Sequence, residues 1–317
     1  MKTLASLLAL LACRAALAQN AAAPPDSLPF VLEPLGANVY AAIDKPEHRG
    51  LANSGFVIGD DGVAVIDTFA DAGAARQLLA EIRKLTPLPV RYVINTHYHL
   101  DHVAGNRVFT DAGAVVIGHR NIRAWIHSEN LKFFPDIQPE RRAQIEGFEA
   151  PEIVYDSFVE LYLGSRELLV RVLPGHTGSD SVIVVPDAQV VFCGDLFWRS
   201  TLPNLIDAST GPLMASDGKL IRAFPEATFV PGHGEVGEAA DVQAFVGYIA
   251  ALRSSVAREQ HAGLAGDALV NAVLPGLQSQ YGGWDLFAHF AKRNIVDTDQ
   301  ELRGTKHLPQ PAPPPPL

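Results

Sequence analysis

Residues 97–102 read His97-Tyr98-His99-Leu100-Asp101-His102. Three imidazoles and a carboxylate this close together are costly to keep unless something binds them. Neutral imidazole and carboxylate are the donors that zinc takes when no thiolate is offered. One metal could take His97 and His99, and a second could take Asp101 and His102. The run therefore reads as half of a two-metal site. Further donors lie well along the chain, each after an expected strand and each beside glycine. They are His176 in Pro174-Gly175-His176-Thr177-Gly178, Asp195 in Cys193-Gly194-Asp195 and His233 in Pro231-Gly232-His233-Gly234. A glycine next to a donor removes a side chain and lets the backbone turn tightly towards a metal. Asp67 ends the earlier run 63–66. Each signal alone is weak, and in chain order together they are strong. His48, His119, His127, His261, His289 and His307 have no such context and read as structural or solvated, and Cys193 reads as core.

The elements that must position these donors alternate along the chain. Short apolar runs at 55–58 and 63–66, separated by Gly59-Asp60-Asp61-Gly62, predict a hairpin. Residues 70–85 have helical periodicity and are stopped by Pro87 and Pro89. A strand at 90–94 then leads directly into His97. Further strands are expected at 114–118, 159–163, 167–173, 182–185, 190–193 and 228–230. Helices are expected from 121, over 238–260 and within 283–302. The segments 129–157 and 197–217 carry no clear period, and long loops beside motif residues are often functional.

Composition sets the class. The chain has 317 residues, 48% hydrophobic and 19% charged, which fits a globular protein with a large core. A formal charge of −10 with no Lys/Arg-rich run argues against nucleic acid or an anionic membrane as partner. Lys2, the apolar run 4–11 and Ala16-Leu17-Ala18 read as a secretory signal over 1–18, which implies export to the periplasm. Leu10-Leu11-Ala12-Cys13 also resembles a lipoprotein processing box, a second route to the same compartment. No stretch is long and apolar enough to span a membrane. Residues 19–35 read as a loose lead-in and the Pro-rich 308–317 as a disordered tail.

The series Asp67, His97-x-His99-x-Asp101-His102, His176, Asp195, His233 resembles the metallo-β-lactamase fold superfamily, with flanks such as Ala64-Val65-Ile66-Asp67-Thr68 and Tyr92-Val93-Ile94-Asn95-Thr96. The resemblance implies an α/β fold, an αβ/βα four-layer sandwich of two mixed sheets faced by helices. It implies a catalytic domain over 36–236, with a C-terminal helical segment over 237–307 packed on it. His97, His99 and His176 would bind the first zinc, and Asp101, His102 and His233 the second. Asp195 would bridge the two metals, and Asp67 would brace the 97–102 loop. Each of the two Zn2+ ions then has four protein donors and room for water; Fe or Mn could use the same set. A hydroxide held between two zincs is a nucleophile at neutral pH, and Asp101 could help to orient it.

The superfamily cleaves many bonds, so the fold alone does not choose a substrate. An Asp at the bridging position resembles the glyoxalase-II-like, lactonase and phosphodiesterase branches more than the β-lactamases. Thr201-Leu202-Pro203-Asn204 and the helical C-terminal segment resemble exported hydrolases that accompany quinoprotein systems. The expected function is an exported zinc hydrolase of a small-molecule ester, thioester, lactone or amide. A β-lactamase and a non-catalytic metal-binding protein are the alternatives. Phe133, Phe134 and Trp198 are candidates for the wall of a substrate pocket. The oligomeric state is left open.

Overall fold

The computed structural model describes residues 28–45, 47 and 52–313. One sheet runs in chain order through β1 (Phe30–Gly36), β2 (Val39–Asp44), β3 (Ser54–Ile58), β4 (Val63–Ile66), β5 (Val90–Ile94), β6 (Val115–His119) and β7 (Ile153–Tyr155). It is antiparallel from β1 to β4 and parallel from β4 to β7. The other sheet has the order β12 (Thr228–His233), β11 (Val190–Trp198), β10 (Ser181–Val185), β9 (Arg166–Val172), β8 (Phe158–Leu163). There β11 and β12 are parallel and the remaining pairs antiparallel.

Period-two alternation explains the layers. In β4, Val63 and Val65 face α1 (Ala72–Leu85), while Ala64 and Ile66 meet the second sheet. In β10, Ile183 and Val185 face inward, and Val182 and Val184 face the C-terminal helices. Strands covered on both faces are apolar throughout. The Asp71 carboxylate caps α1 by accepting from the backbone N–H of Gly73 and Ala74. Short helices follow: α2 (Leu100–Val103), α3 (Asn106–Thr110), α4 (Arg120–Trp125), α5 (Ser128–Lys132) and α6 (Pro139–Glu146). The second sheet is covered by α7 (Thr210–Ala223), α8 (Ala239–His261), α9 (Gly266–Tyr281) and α10 (Phe287–Leu302). This is the expected four-layer α/β sandwich. Among the described residues no helix is long and apolar enough to cross a membrane.

Several local expectations change. Residues 30–35, read as loose, form β1, because Phe30 is buried against Phe69 with ring centroids 5.3 Å apart and the strand pairs along β2. The signal at 1–18, the stretch 19–27 and the last residues 314–317 lie outside the described residues. The helix α9 escaped the periodicity reading because Gly266, Pro275 and Gly276 depress helix propensity. It forms because Leu269, Val270, Val273 and Leu277 are buried in the helical layer. Residues 308–313 are not loose: Trp125 Nε1 donates to the Gln310 carbonyl at 2.9 Å, and the Ala312 N–H donates to Asn121 Oδ1 at 2.9 Å. An extended Pro-rich chain leaves its carbonyls free for such bonds. Cys193 is buried in the core, as read.

Candidate metal centre

The donors gather at one rim of the sandwich, where β4, β5, β9, β11 and β12 end or bend. His97, His99, Asp101 and His102 come from the turn after β5 and the start of α2, and His176 from the turn after β9. His233 ends β12. Asp195 sits inside β11, where the register shifts around Gly194, whose φ of +51 glycine adopts without strain. A Cβ on Gly232 would lie 1.9 Å from Asp195 Oδ1, so only glycine lets that carboxylate in.

Two groups of donors result: His97, His99, His176 and Asp195, and beside them Asp101, His102 and His233. In the first, His176 Nε2 lies 3.0 Å from His99 Nδ1 and 3.1 Å from Asp195 Oδ2, and His97 Nε2 lies 3.7 Å from that oxygen. In the second, His233 Nε2 lies 3.3 Å from Asp101 Oδ2. Asp195 Oδ1 faces this group, 3.1 Å from His102 Nε2 and 3.6 Å from His233 Nε2. One carboxylate thus presents one oxygen to each group. Donors bonded at about 2.05 Å in a tetrahedron stand about 3.3 Å apart, which matches these separations.

The residues fit a bound divalent metal on a further count. His97 Nε2, His102 Nε2, His233 Nε2 and Asp195 Oδ1 are buried with no hydrogen-bond partner. Buried polar atoms are normally satisfied, so four that converge on one place await a ligand. On three imidazoles the opposite nitrogen is held: His97 Nδ1 by Thr96 Oγ1 at 3.1 Å, His102 Nδ1 by Asp67 Oδ2 at 2.7 Å and His99 Nε2 by Asp207 Oδ2 at 3.2 Å. Such outer contacts fix the tautomer and the ring direction. His176 Nδ1 has no partner.

The electrostatics agree. Burial and the neighbouring imidazoles push the His97 pKa well below its ordinary value, which keeps it a neutral donor. Burial would raise Asp195, but the imidazoles of His102, His176, His233 and His97 hold it ionised, well below the carboxylate range. Burial would lower His102, yet Asp195, Asp67 and Asp101 outweigh it and raise its pKa well above the usual value. That field favours positive charge at His102, which a proton or a divalent cation supplies.

All seven sequence-predicted donors are brought together, and Asp67 lies behind them, accepting from the Thr96 N–H at 2.8 Å and the Thr96 hydroxyl at 2.7 Å. The pocket candidates divide. Phe133 stands edge-on to His99 with centroids 5.4 Å apart, and Trp198 stacks on His233 at 3.9 Å. Phe134 does not join them; it packs in a separate cluster with Val103, Ile126, Ile145 and Phe148, under Arg141. The segment 197–217 proves to hold the end of β11, a loop over 199–209 and α7. Asp207 in that loop was missed because a lone Asp after Leu205-Ile206 carries no motif. Of the histidines without motif context, His119 caps α4 and His127 contacts the Phe148 carbonyl, so both are structural.

Comparison with known proteins places these donors in a wider group. The family described as the Metallo-beta-lactamase superfamily matches residues 49–233. The chain is 27% identical over 191 residues to a probable metallo-hydrolase of Bacillus subtilis, covering 58% of this chain and 85% of that protein. It is 27% identical over 182 residues to a hydroxyacylglutathione hydrolase of Brucella ovis, covering 57% of this chain and 62% of the relative. A linear primary-alkylsulfatase of a Pseudomonas species is 24% identical over 211 residues, 55% of this chain and 40% of its own length. In fold, a metallo-beta-lactamase from Pontibacter korlensis superposes with a TM-score of 0.59 at 20% identity, covering 70% of this chain and 99% of that one. Another from Erythrobacter litoralis gives 0.57 at 19%, covering 70% and 96%.

Proposed function

The chain belongs to the metallo-beta-lactamase superfamily, and from that membership and its site we propose that it is an exported two-zinc hydrolase of a small-molecule ester, thioester, lactone or amide. The observation that carries this reading is Asp195, whose two oxygens face separate groups of imidazoles. In it, His97, His99 and His176 would hold one Zn2+, Asp101, His102 and His233 would hold the other, and Asp195 would offer one oxygen to each. Bound metal supplies an activated water at neutral pH and polarises the bond under attack.

The protein's own part is to orient. Asp101 is the most accessible donor carboxylate, 23% exposed against 2% for Asp195. It is therefore the group that solvent reaches, placed to direct the attacking water and to accept its proton. Phe133, half-buried beside His99, offers an apolar surface at the edge of the donors that suits an uncharged acyl portion of the substrate. Trp198, stacked on His233, is instead buried in the core and backs that imidazole from behind. The bridging position of Asp195 and the similarity to a hydroxyacylglutathione hydrolase favour thioester, ester or lactone over β-lactam. Export rests on residues 1–18 and is checked by finding the processed protein in a periplasmic fraction.

The test is a substrate panel on metal-assayed protein. About two zinc ions per chain with turnover of thioesters, esters or lactones supports the reading. Efficient nitrocefin or carbapenem hydrolysis with none of these would make it a β-lactamase. Bound zinc without turnover on the panel would make it a metal-binding protein.

A further inference from the structure

The loop 199–209 joins β11 to α7 and runs past the donor cluster. Asp207 lies near its end, with a side chain only 12% exposed. Its Oδ2 faces His99 Nε2 at 3.2 Å, and the buried Tyr98 hydroxyl donates a short hydrogen bond to the same oxygen. His99 Nδ1, on the other side of the ring, faces His176 Nε2 at 3.0 Å. The imidazole is therefore clamped between a carboxylate and the first donor group. A carboxylate that accepts from Nε2–H leaves the Nδ1 lone pair free for a metal, and fixes the plane in which it points.

The loop does not hold this shape by itself. The Leu202 N–H donates to the Asp285 carbonyl at 2.8 Å, and the Asp285 N–H to the Ser200 carbonyl at 2.9 Å. Asn294 Nδ2 on α10 donates to the Pro203 carbonyl at 2.9 Å. Beyond α10, Lys306 Nζ donates to the carbonyls of Leu205 at 2.7 Å and Ala208 at 2.5 Å, on both sides of Asp207. Glu301 accepts from the Thr210 N–H at 3.0 Å where the loop enters α7. Each of these ties comes from residues 285–306, which lie beyond the segment 49–233 matched by the superfamily.

We infer that Asp207 is a positioning residue for His99, and that the C-terminal segment serves the first metal site by holding the loop that carries it. The inference rests on the two-metal reading given above. The chain's helical end, in this view, is part of the support of the centre as well as a cover for the second sheet. In this role Asp207 acts through His99.

The test measures zinc binding, independent of turnover. Full-length protein is stripped of metal and titrated with zinc against a chromophoric chelator, with thermal unfolding of the metal-free protein measured in parallel. Asp207→Ala is expected to weaken one of the two zinc sites by about 10–100-fold while the other stays within about twofold of wild type. Asp207→Asn keeps an acceptor for His99 Nε2–H and is expected to recover part of that loss. Lys306→Met, which leaves Asp207 intact, is expected to weaken the same site to a smaller degree. Two unaltered zinc affinities in Asp207→Ala overturn the inference, as does equal weakening of both sites with a matching fall in metal-free stability. If Asp207→Ala does not fold, Asp207→Asn and Lys306→Met decide by the same criterion. A wild-type protein that binds no zinc overturns the metal reading and this inference with it, whereas the other failures leave that reading standing.

Discussion

The Asp67 carboxylate and the His102 imidazole meet at 2.7 Å through Oδ2 and Nδ1, and the opposite nitrogen of the ring faces Asp195 Oδ1 at 3.1 Å. The backbone at Asp67 is left-handed, with φ of +55, which Asn tolerates as well as Asp. Asp67→Asn therefore isolates the hydrogen bonds. An amide nitrogen turned to His102 Nδ1 forces the proton to Nε2 and blocks the donor, and the reverse orientation aims that nitrogen at the Thr96 N–H. The expected result is about 10–100-fold weaker binding of one metal, read by chelator competition. Unchanged affinity would show that Asp67 does not set the His102 tautomer.

Asp195 is tested twice, once directly and once through its neighbour. Asp195→Ala should lower metal content from about two ions per chain towards one. Gly232→Ala should do the same without touching a donor, because its Cβ would fall 1.9 Å from Asp195 Oδ1. Elemental analysis of both variants decides, and two ions retained in Asp195→Ala would exclude a bridging role.

The two aromatics that touch donor imidazoles should separate binding from stability. Phe133 is half-buried at the edge of the site, so Phe133→Ala should raise KM several-fold with kcat little changed. Trp198 is 3% exposed, stacked on His233 and edge-on to Phe290. Trp198→Ala leaves a cavity and should cost about 3–5 kcal/mol in unfolding free energy. Steady-state kinetics and denaturant unfolding distinguish the two.

Asp217 on α7 is fully buried with both oxygens unpaired, and burial and then Asp180 raise its pKa well above the ordinary value. Burial likewise raises Asp180, to about 7. A raised folded-state pKa means that the folded protein keeps a proton which the unfolded chain releases near pH 4. Stability from these groups is full below that value and falls as pH rises towards and past 7. Asp217→Asn should make stability less steep in pH, by up to about 1.4 kcal/mol per unit. Melting temperatures at pH 5 to 8 for both proteins check this, and parallel curves would refute it.

The donors were legible because metal chemistry restricts residue type and local spacing together. His97 to His102 lie within six positions, and His176, Asp195 and His233 each stand beside glycine after an apolar run. The strands extend further than that pattern predicts, so that Asp195 lies inside β11 and His233 ends β12. The sandwich was legible because strands covered on both faces are apolar throughout and α1 has a clean period. Phe134 misled because an aromatic in an unassigned segment says nothing about which way it faces. The structure turns it to Val103 and Ile145 while its neighbour Phe133 meets His99.

The sequence by itself determined the candidate donor set, the α/β class and the family resemblance, since each is written in residue type and short spacing. Tertiary structure alone decided how they are arranged: that Asp195 presents one oxygen to each group, that Gly232 makes room for it, and that β1 pairs with β2. It also brought Asp207 to His99, 108 positions away, on a loop tied by Asn294 and Lys306. No local pattern encodes such a contact, because it depends on chain closure through two sheets and a helical layer. Its stability comes from burial that exists only once those layers have packed.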